Sequence, residues 1–249
     1  MSESTSFPLP KCVGAVGPVQ KQSDGYAVNV DNLHLAFYRL VPNSVREDAD
    51  GDTNRKQQYL QALAEHWNDL DSTPVTAYAK RLDAQLEGLK ANGHETETLS
   101  LETEGRLVAG LGYDSPMEVG CTLHPLYGFP YLPGSSVKGV ARAYAEEVVE
   151  ASEDDLYDVF GSVSKHESDS QKRQGKVWFF DAVPSWPPRL EVDVMTPHYG
   201  DYYTADDVTP PGEWHDPTPV PFLTVASDTS FRFPSPPAMT RSLSRPPTG

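Results

Sequence analysis

The sequence predicts an α+β protein, and three patterns along its 249 residues carry that prediction. Apolar residues recur every three or four positions over residues 55–89, as in amphipathic helices. The spacing changes to two over residues 98–108, which indicates a strand. A helical pattern returns over residues 135–149, and strand-like segments follow it at residues 177–183 and 190–195. Helices and strands are therefore interleaved along the chain.

The N-terminal part is predicted to hold one strand and two helices. Residues 1–30 form an irregular segment rich in Pro, Gly and Ser. The dense apolar residues at 29–40 predict a buried strand, and a polar linker follows at residues 42–52. Residues 55–70 predict a long helix. A second helix begins at Pro74 and ends at Asn92-Gly93, because glycine favours the backbone conformation that ends a helix.

The remaining residues predict a glycine-rich loop, a helix, further strands and a tail. Residues 105–139 are rich in Gly and Pro, and such a loop lets the backbone approach a partner closely. Ser135 or Ser136 is a suitable N-cap for the helix that follows. Residues 164–176 indicate a mobile loop, residues 177–183 a strand buried on both faces, and residues 222–225 and 229–233 a hairpin around Ser227-Asp228. Residues 234–249 are predicted to be a disordered tail.

The charge balance restricts the classes of function. The chain has 20 Lys and Arg against 36 Asp and Glu, a net charge of −16, which excludes an indiscriminate binder of polyanions. We expect a cytoplasmic protein, because there is no signal peptide and no run of about 18 apolar residues. Cys12 and Cys121 lack the spacing of a zinc site, so we expect reduced thiols and no cofactor.

The strongest candidate site is the helix start within residues 128–142 (GFPYLPGSSVKGVAR). Helix N-termini bind anions, because their first backbone N–H groups have no partner within the helix. Two cations one helical turn apart, Lys138 and Arg142, would reinforce such a site. A plain capped helix with two solvated charges explains these residues equally well. The pattern G-x-x-x-x-G-K-[ST] is absent, which argues against ATP binding.

Two further groups of residues are weaker candidates. Lys172, Arg173 and Lys176 form the densest basic cluster of the chain. His198 and Tyr199 lie near other tyrosines, which suggests stacking on bases or packing under a loop. His198 could also ligate a metal or act as a base, but a structural histidine is favoured. Cys121 with His124 is interpreted as a coincidence of spacing rather than a catalytic dyad.

The chain resembles the RAMP superfamily of CRISPR proteins. The resemblance is carried by residues 110–118, by Leu123-His124 and by the motif at residues 128–142. Phe160-Gly161, Phe180-Asp181-Ala182 and residues 193–199 (DVMTPHY) with Tyr202-Tyr203 are similar to the sixth-subunit family of Cmr-type (type III-B) effector complexes. The similarity extends from about Leu33 to Phe233.

This resemblance implies a ferredoxin-like, RRM-related core at residues 31–233, with a helical insertion at residues 54–93. It implies binding of CRISPR guide RNA near its 3′ end, beside the backbone subunit and the first Cmr subunit. Cleavage of target RNA belongs to the backbone subunit in this family, so no catalytic residue is carried over. Members usually end in a helix and a glycine-rich strand-loop that nothing after Phe233 resembles. The C-terminal part of the core is therefore expected to be missing.

Together, these observations predict a non-catalytic RNA-binding subunit of an antiviral type III-B interference complex. Its expected partners are guide RNA, target RNA as a second candidate, and other Cmr subunits, with no membrane partner. Two alternatives stay open: an endoribonuclease with His124 or His198 as general base on a 2′-OH, and a scaffold that contacts protein only. The predicted RNA contacts are Gly134, Ser135, Ser136, Lys138, Gly139, Arg142, Lys172, Arg173, Lys176, His198 and Tyr199.

Overall fold

A computed structural model describes residues 19–23, 25–46, 53–70, 73–162, 174–197 and 217–235. It divides into two compact units: residues 1–74, 103–130 and 187–229 form the first, and residues 75–102, 131–186 and 230–249 the second. The elements, in chain order, are β1 (Val19–Gln22), β2 (Gly25–Val28), α1 (Leu33–Tyr38), α2 (Asn43–Arg46), α3 (Thr53–Asn68), α4 (Thr73–Ala91), β3 (Glu97–Glu102), α5 (Gly134–Glu147), α6 (Glu153–Phe160), β4 (Val183–Pro184), β5 (Leu190–Met195), β6 (Val220–Val225) and β7 (Ser230–Ser235).

The first unit is built around α3. Its apolar face is buried against β2, β5 and β6, as the spacing of three and four predicts. β5 and β6 pair antiparallel, with Leu190 opposite Val225. Trp67 of α3 donates its indole N–H to the carbonyl of Pro188 over 2.9 Å, so the one polar atom of this buried ring is satisfied.

The glycine-rich loop of the first unit is packed against its own chain. The side chains of Met117, Cys121 and Phe129 are buried. A Cβ atom at Gly120 would lie 2.5 Å from the carbonyl oxygen of Gly110, so no larger residue fits there. Gly128 has a φ of +78°, and a Cβ atom there would lie 2.7 Å from the backbone nitrogen of Leu33, the first residue of α1. The close backbone approach that the glycines predict is thus made, in this structure, between segments of the chain itself.

The second unit contains a three-stranded antiparallel sheet in the order β3–β7–β4. Phe231 of the central strand β7 lies opposite Leu101 of β3 on one side and Pro184 of β4 on the other. An ion pair between Arg232 and Asp83 joins β7 to α4. Helices α5 and α6 contact each other in the same unit.

Two N-terminal predictions are wrong. Residues 33–38 of the expected strand form helix α1, because the Asn32 side chain accepts a hydrogen bond from the backbone N–H of Leu35 and caps a helix start. The expected linker at residues 42–52 contains a short helix, α2. Helices α3 and α4 match the predicted ones, and Gly93 follows α4 with a φ of +84°.

The later strands differ from the prediction in their pairing. Of residues 177–183 only Val183 lies in a strand, and Trp178 is 44% exposed, so this segment is not buried on both faces. The strands β6 and β7 flank the predicted turn, but they belong to different sheets and so form no hairpin. Helix α6, capped by Ser152, occupies residues for which the sequence predicted neither a helix nor a strand.

The predicted apolar stripe of α5 is formed but not covered. Val140 and Tyr144 of α5 and its C-cap residue Val148 follow one another at a spacing of four, and all three are exposed. Residues 164–173 of the mobile loop predicted at residues 164–176, and the tail from residue 236, lie outside the described residues. The domain boundaries at residues 31–233 stay a prediction.

Candidate nucleic-acid interface

Helix α5 begins at Gly134, and a carboxylate of the same unit meets its first N–H. Pro133 is the N-cap residue and makes no side-chain capping bond, so the prediction that Ser135 or Ser136 caps this helix is wrong. The backbone N–H of Gly134 instead donates to Asp181 Oδ1 over 2.7 Å. A carboxylate at a helix N-terminus is favourable, because it complements the partial positive charge there. The anion at this helix start is thus the carboxylate of Asp181, whereas the sequence predicted an RNA phosphate there.

Gly134 itself is buried. A Cβ atom at this position would lie 2.3 Å from the carbonyl oxygen of Phe179, so only glycine lets the helix start this close to the neighbouring segment. The bridge between Leu132 and Ala182 holds the two segments together just before the helix begins. A phosphate at the Gly134 N–H would have to displace Asp181.

The exposed part of the helix start is the next turn. Ser135, Ser136 and Gly139 are exposed and Lys138 is half-buried. A Cβ atom at Gly139 would meet nothing within 4 Å, so the surface is open there. Among the described residues, Lys138 makes no ion pair closer than 4.0 Å with a carboxylate. The structure therefore brings two hydroxyls and one available cation together, and their contact with RNA stays a prediction.

Arg142 is engaged within its own unit. Its Nε lies 2.6 Å from Glu146 Oε1, and its guanidinium carbon lies 5.9 Å from the centre of the Phe160 ring. Its Nη1 also lies 3.4 Å from the carbonyl oxygen of Gly161, which follows the end of α6. These contacts place the cation at the negative end of the α6 dipole. Arg142 joins α5 to α6, and contact with RNA would have to compete with these partners.

Of the three residues in the predicted basic cluster, Lys176 lies within the part of the chain that the structure describes. Its Nζ lies 2.7 Å from Asp158 Oδ2, and its side chain is 73% exposed. Four other predicted contacts lie outside the described residues: Lys172, Arg173, His198 and Tyr199.

The residues of the enzyme alternative have structural roles where the structure describes them. His124 Nδ1 accepts hydrogen bonds from the backbone N–H groups of Leu126 and Tyr127, at 3.2 and 3.3 Å. A neutral ring in this arrangement carries its proton on Nε2 and uses its lone pair within the turn. Cys121 is buried, and burial raises the pKa of its thiol to about 12. The Nδ1 lone pair of His124 is thus used within its own turn, and the Cys121 thiol is buried.

The described residues contain no group of three or more His, Cys, Asp or Glu side chains arranged to hold a metal ion. No helix among them is long and apolar enough to cross a membrane.

Sequence reasoning missed three residues that shape this part of the molecule. Asp181 lies 47 positions from the helix that it caps, and no local pattern reports such a long-range contact. The apolar neighbours of Trp178 predict a buried side chain, whereas Trp178 is exposed. His94, just after α4, lies beside it with the ring centroids 4.8 Å apart.

Comparison with known proteins defines the class. Residues 100–243, more than half of the chain, match the RAMP superfamily. The chain therefore belongs to the RAMP superfamily, as the resemblance indicates.

Individual relatives narrow the relationship. The chain is similar to the CRISPR system Cmr subunit Cmr6 of Pyrococcus furiosus, at 32% identity over 196 residues, which covers 54% of this chain and 55% of that protein. It is also similar to the CRISPR system CMR subunit Cmr6 of Saccharolobus solfataricus, at 25% identity over 226 residues, covering 87% of this chain and 71% of that protein. The chain thus spans little more than half the length of the first relative.

One solved structure supports the same relationship. The chain resembles a chain of the type III-B Cmr-beta complex bound to cognate target RNA, with a TM-score of 0.51 and 26% sequence identity. The similarity covers 67% of this chain and 53% of that chain.

Proposed function

We propose that this chain is a non-catalytic RNA-binding subunit of a type III-B CRISPR effector complex and acts in antiviral defence. The observation that carries the proposal is the similarity to Cmr6 subunits from two archaea, one of them matched over 87% of this chain. The likeness to a chain of an RNA-bound type III-B complex supports the same function. The proposed partners are guide RNA near its 3′ end, target RNA, and the neighbouring Cmr subunits.

We further propose that the second unit is part of a ferredoxin-like, RRM-related core. After α4, its elements follow the chain order β3, α5, α6, β4, β7, with both α5 and α6 between the first two strands, and β7 lies between β3 and β4 in the sheet. A strand–helix–strand–strand order with antiparallel pairing is the first part of the ferredoxin-like motif. The absence of the C-terminal part of such a core stays a prediction, since residues 236–249 lie outside the described residues.

Within this unit, we propose the exposed first turns of α5 as a contact for the RNA backbone. Lys138 supplies a cation there, and Ser135 and Ser136 supply exposed hydroxyls that can donate to phosphate oxygens. The carboxylate of Asp181 covers the Gly134 N–H, so the contact is made by side chains rather than by the end of the helix. Affinity from one such cluster is modest, in keeping with the net charge of −16.

The absence of catalysis is part of the proposal. The turn geometry of His124 and the burial of Cys121 support it, because a general base needs an available lone pair and a nucleophile needs access to its substrate. Specific cleavage of guide-precursor RNA that is lost on substituting His124 or His198 would instead support the endoribonuclease alternative.

Equilibrium binding of guide RNA to the full chain, measured over a range of salt concentrations, tests the proposal. Lys138→Ala is expected to weaken binding several-fold at low salt and to reduce the salt slope by about one. Lys80→Ala, an exposed lysine on α4 of the same unit, is the matched control and should leave both quantities unchanged. Binding that is absent at every salt concentration, in the isolated chain and in the assembled complex, would favour the protein-only scaffold.

A further inference from the structure

A groove of about 470 Å³ lies within the second unit, beside the C-terminal end of α4. Leu86 and Leu89 of α4 form part of its lining, and His94, Lys176 and Trp178 contribute to the rest. We call it the Trp178 groove. Its volume falls in the range of sites that hold small ligands or single residues of a polymer.

An aromatic surface is open inside this groove. The Trp178 side chain is 44% exposed, although tryptophan is on average highly buried. The His94 ring lies beside it, tilted by 48°. Unpaired bases of single-stranded RNA stack on aromatic side chains, and this contact is largely independent of the base. A half-exposed indole with a second ring at its side is suited to that contact.

The groove also contains a cationic residue, Lys176, and the backbone around it is held by a hydrogen bond and by tight packing. The backbone N–H of Lys176 donates to the carbonyl oxygen of Asp158 over 2.7 Å. A Cβ atom at Gly175 would lie 2.4 Å from the carbonyl oxygen of Val159, so this segment is packed tightly on α6. The ion pair of the Lys176 ammonium with Asp158 is exposed, and exposed pairs contribute little free energy. The ammonium can therefore exchange this carboxylate for a phosphate.

The acidic residues of the groove limit what it accepts. Glu95 is part of the lining, and Asp158 lies beside Lys176. A ligand with several adjacent phosphates would be repelled, whereas a neutral base with one phosphate at the lysine would not. An aromatic or aliphatic peptide side chain could also enter the groove, but it carries no negative charge for Lys176 to bind.

We propose that the Trp178 groove is a nucleotide subsite for single-stranded RNA, in which an unpaired base stacks on Trp178 and its phosphate contacts Lys176. The subsite rests on the proposed RNA-binding function and specifies a second contact in the same unit as Lys138. It distinguishes single-stranded from double-stranded RNA, because a base within a duplex is not available for stacking on a side chain.

The test measures the affinity of the full chain for a fluorescein-labelled single-stranded RNA of mixed sequence and for the matching duplex. Trp178→Ala is expected to weaken single-strand binding at least about five-fold, the lower end for one base–aromatic stack, and to leave duplex binding unchanged. Trp178→Phe should restore part of the loss. Trp186→Ala removes an exposed tryptophan that does not line the groove, so it is the matched control.

Two further measurements test the subsite even if Trp178→Ala does not fold. Lys176→Ala alters an exposed side chain and should lower the salt slope by about one. Photocrosslinking with RNA that contains 4-thiouridine should modify the peptide around Trp178. The subsite is overturned if the wild-type chain binds RNA but Trp178→Ala and Lys176→Ala bind equally well, or if the groove crosslinks to protein in the assembled complex. Loss of RNA binding in Lys138→Ala alone would leave the proposed function standing without the subsite.

Discussion

The backbone N–H of Gly134 donates to the carboxylate of Asp181 over 2.7 Å, so helix α5 begins on an anion of its own chain. A helix start that follows glycine and proline and carries a nearby lysine is typical of a phosphate site. Here the carboxylate satisfies the first N–H and offsets the unfavourable position of Lys138 near the positive end of the helix dipole. The contact that we propose for RNA therefore lies on the exposed side of the helix and not at its end.

The Asp181 contact should contribute measurably to stability. Asp181→Ala is expected to lower the free energy of unfolding by about 1 kcal/mol, as for loss of a helix cap. Asp181→Asn keeps an acceptor and should cost less. Chemical denaturation followed by circular dichroism measures both. An unfolding midpoint for Asp181→Ala equal to that of the wild type would show that the contact does not stabilise the helix start.

Substitution by alanine should change the stability of the chain in opposite directions at two glycines of α5. Gly134→Ala places a Cβ atom 2.3 Å from the carbonyl oxygen of Phe179 and should destabilise the chain by about 2 to 3 kcal/mol. Gly139→Ala meets open space within a helix and should stabilise it by up to about 1 kcal/mol. Thermal unfolding of the two variants side by side is the measurement, and equal shifts would contradict the packing described for Gly134.

Substitution of Arg142 should lower the stability of the chain more than its affinity for RNA. Arg142→Gln removes the ion pair with Glu146 and the contact with the Phe160 ring, and is expected to cost about 1 kcal/mol. Glu146→Gln removes only the exposed ion pair and should cost less. If Arg142→Gln unfolds like the wild type but loses RNA affinity as Lys138→Ala does, then Arg142 is an RNA contact instead.

An ion pair in the first unit gives an independent prediction. Lys56 is 4% exposed and pairs with Glu118. Glu118→Gln is expected to lower the free energy of unfolding by about 1 to 2 kcal/mol, because it removes a charge-assisted contact of a buried ammonium. Glu104→Gln, an exposed glutamate of the same unit, is the control and should have no effect. Similar unfolding midpoints for both variants would argue against the pair.

Cys121 should be unreactive in the folded chain. Its thiol is buried, and burial raises its pKa to about 12, so the reactive thiolate is scarce at neutral pH. Alkylation with iodoacetamide followed by peptide mass spectrometry should label Cys121 only after denaturation. Rapid labelling under native conditions would show that the loop around Cys121 opens readily.

The sequence predicted elements with strong local patterns and missed contacts made over long separations. Helices α3 and α4 were found because their apolar residues repeat over several turns. Residues 33–38 have a strand-like composition but form a helix, because the side chain of Asn32 caps the start of that helix. Within the candidate site, the half-buried Lys138 could be named from its motif. Asp181 and Trp178 could not be assigned, because the position of each is set by residues more than 40 positions away.

Isolation of the effector complex through a tag on this chain tests whether the chain contacts guide RNA. Ultraviolet crosslinking of that complex, followed by sequencing of the RNA attached to this chain, identifies what it contacts. We expect spacer-derived guide RNA crosslinked near its 3′ end, with crosslinked peptides from the second unit around Lys138. A complex that contains this chain and guide RNA but yields crosslinks from the other subunits alone would contradict it.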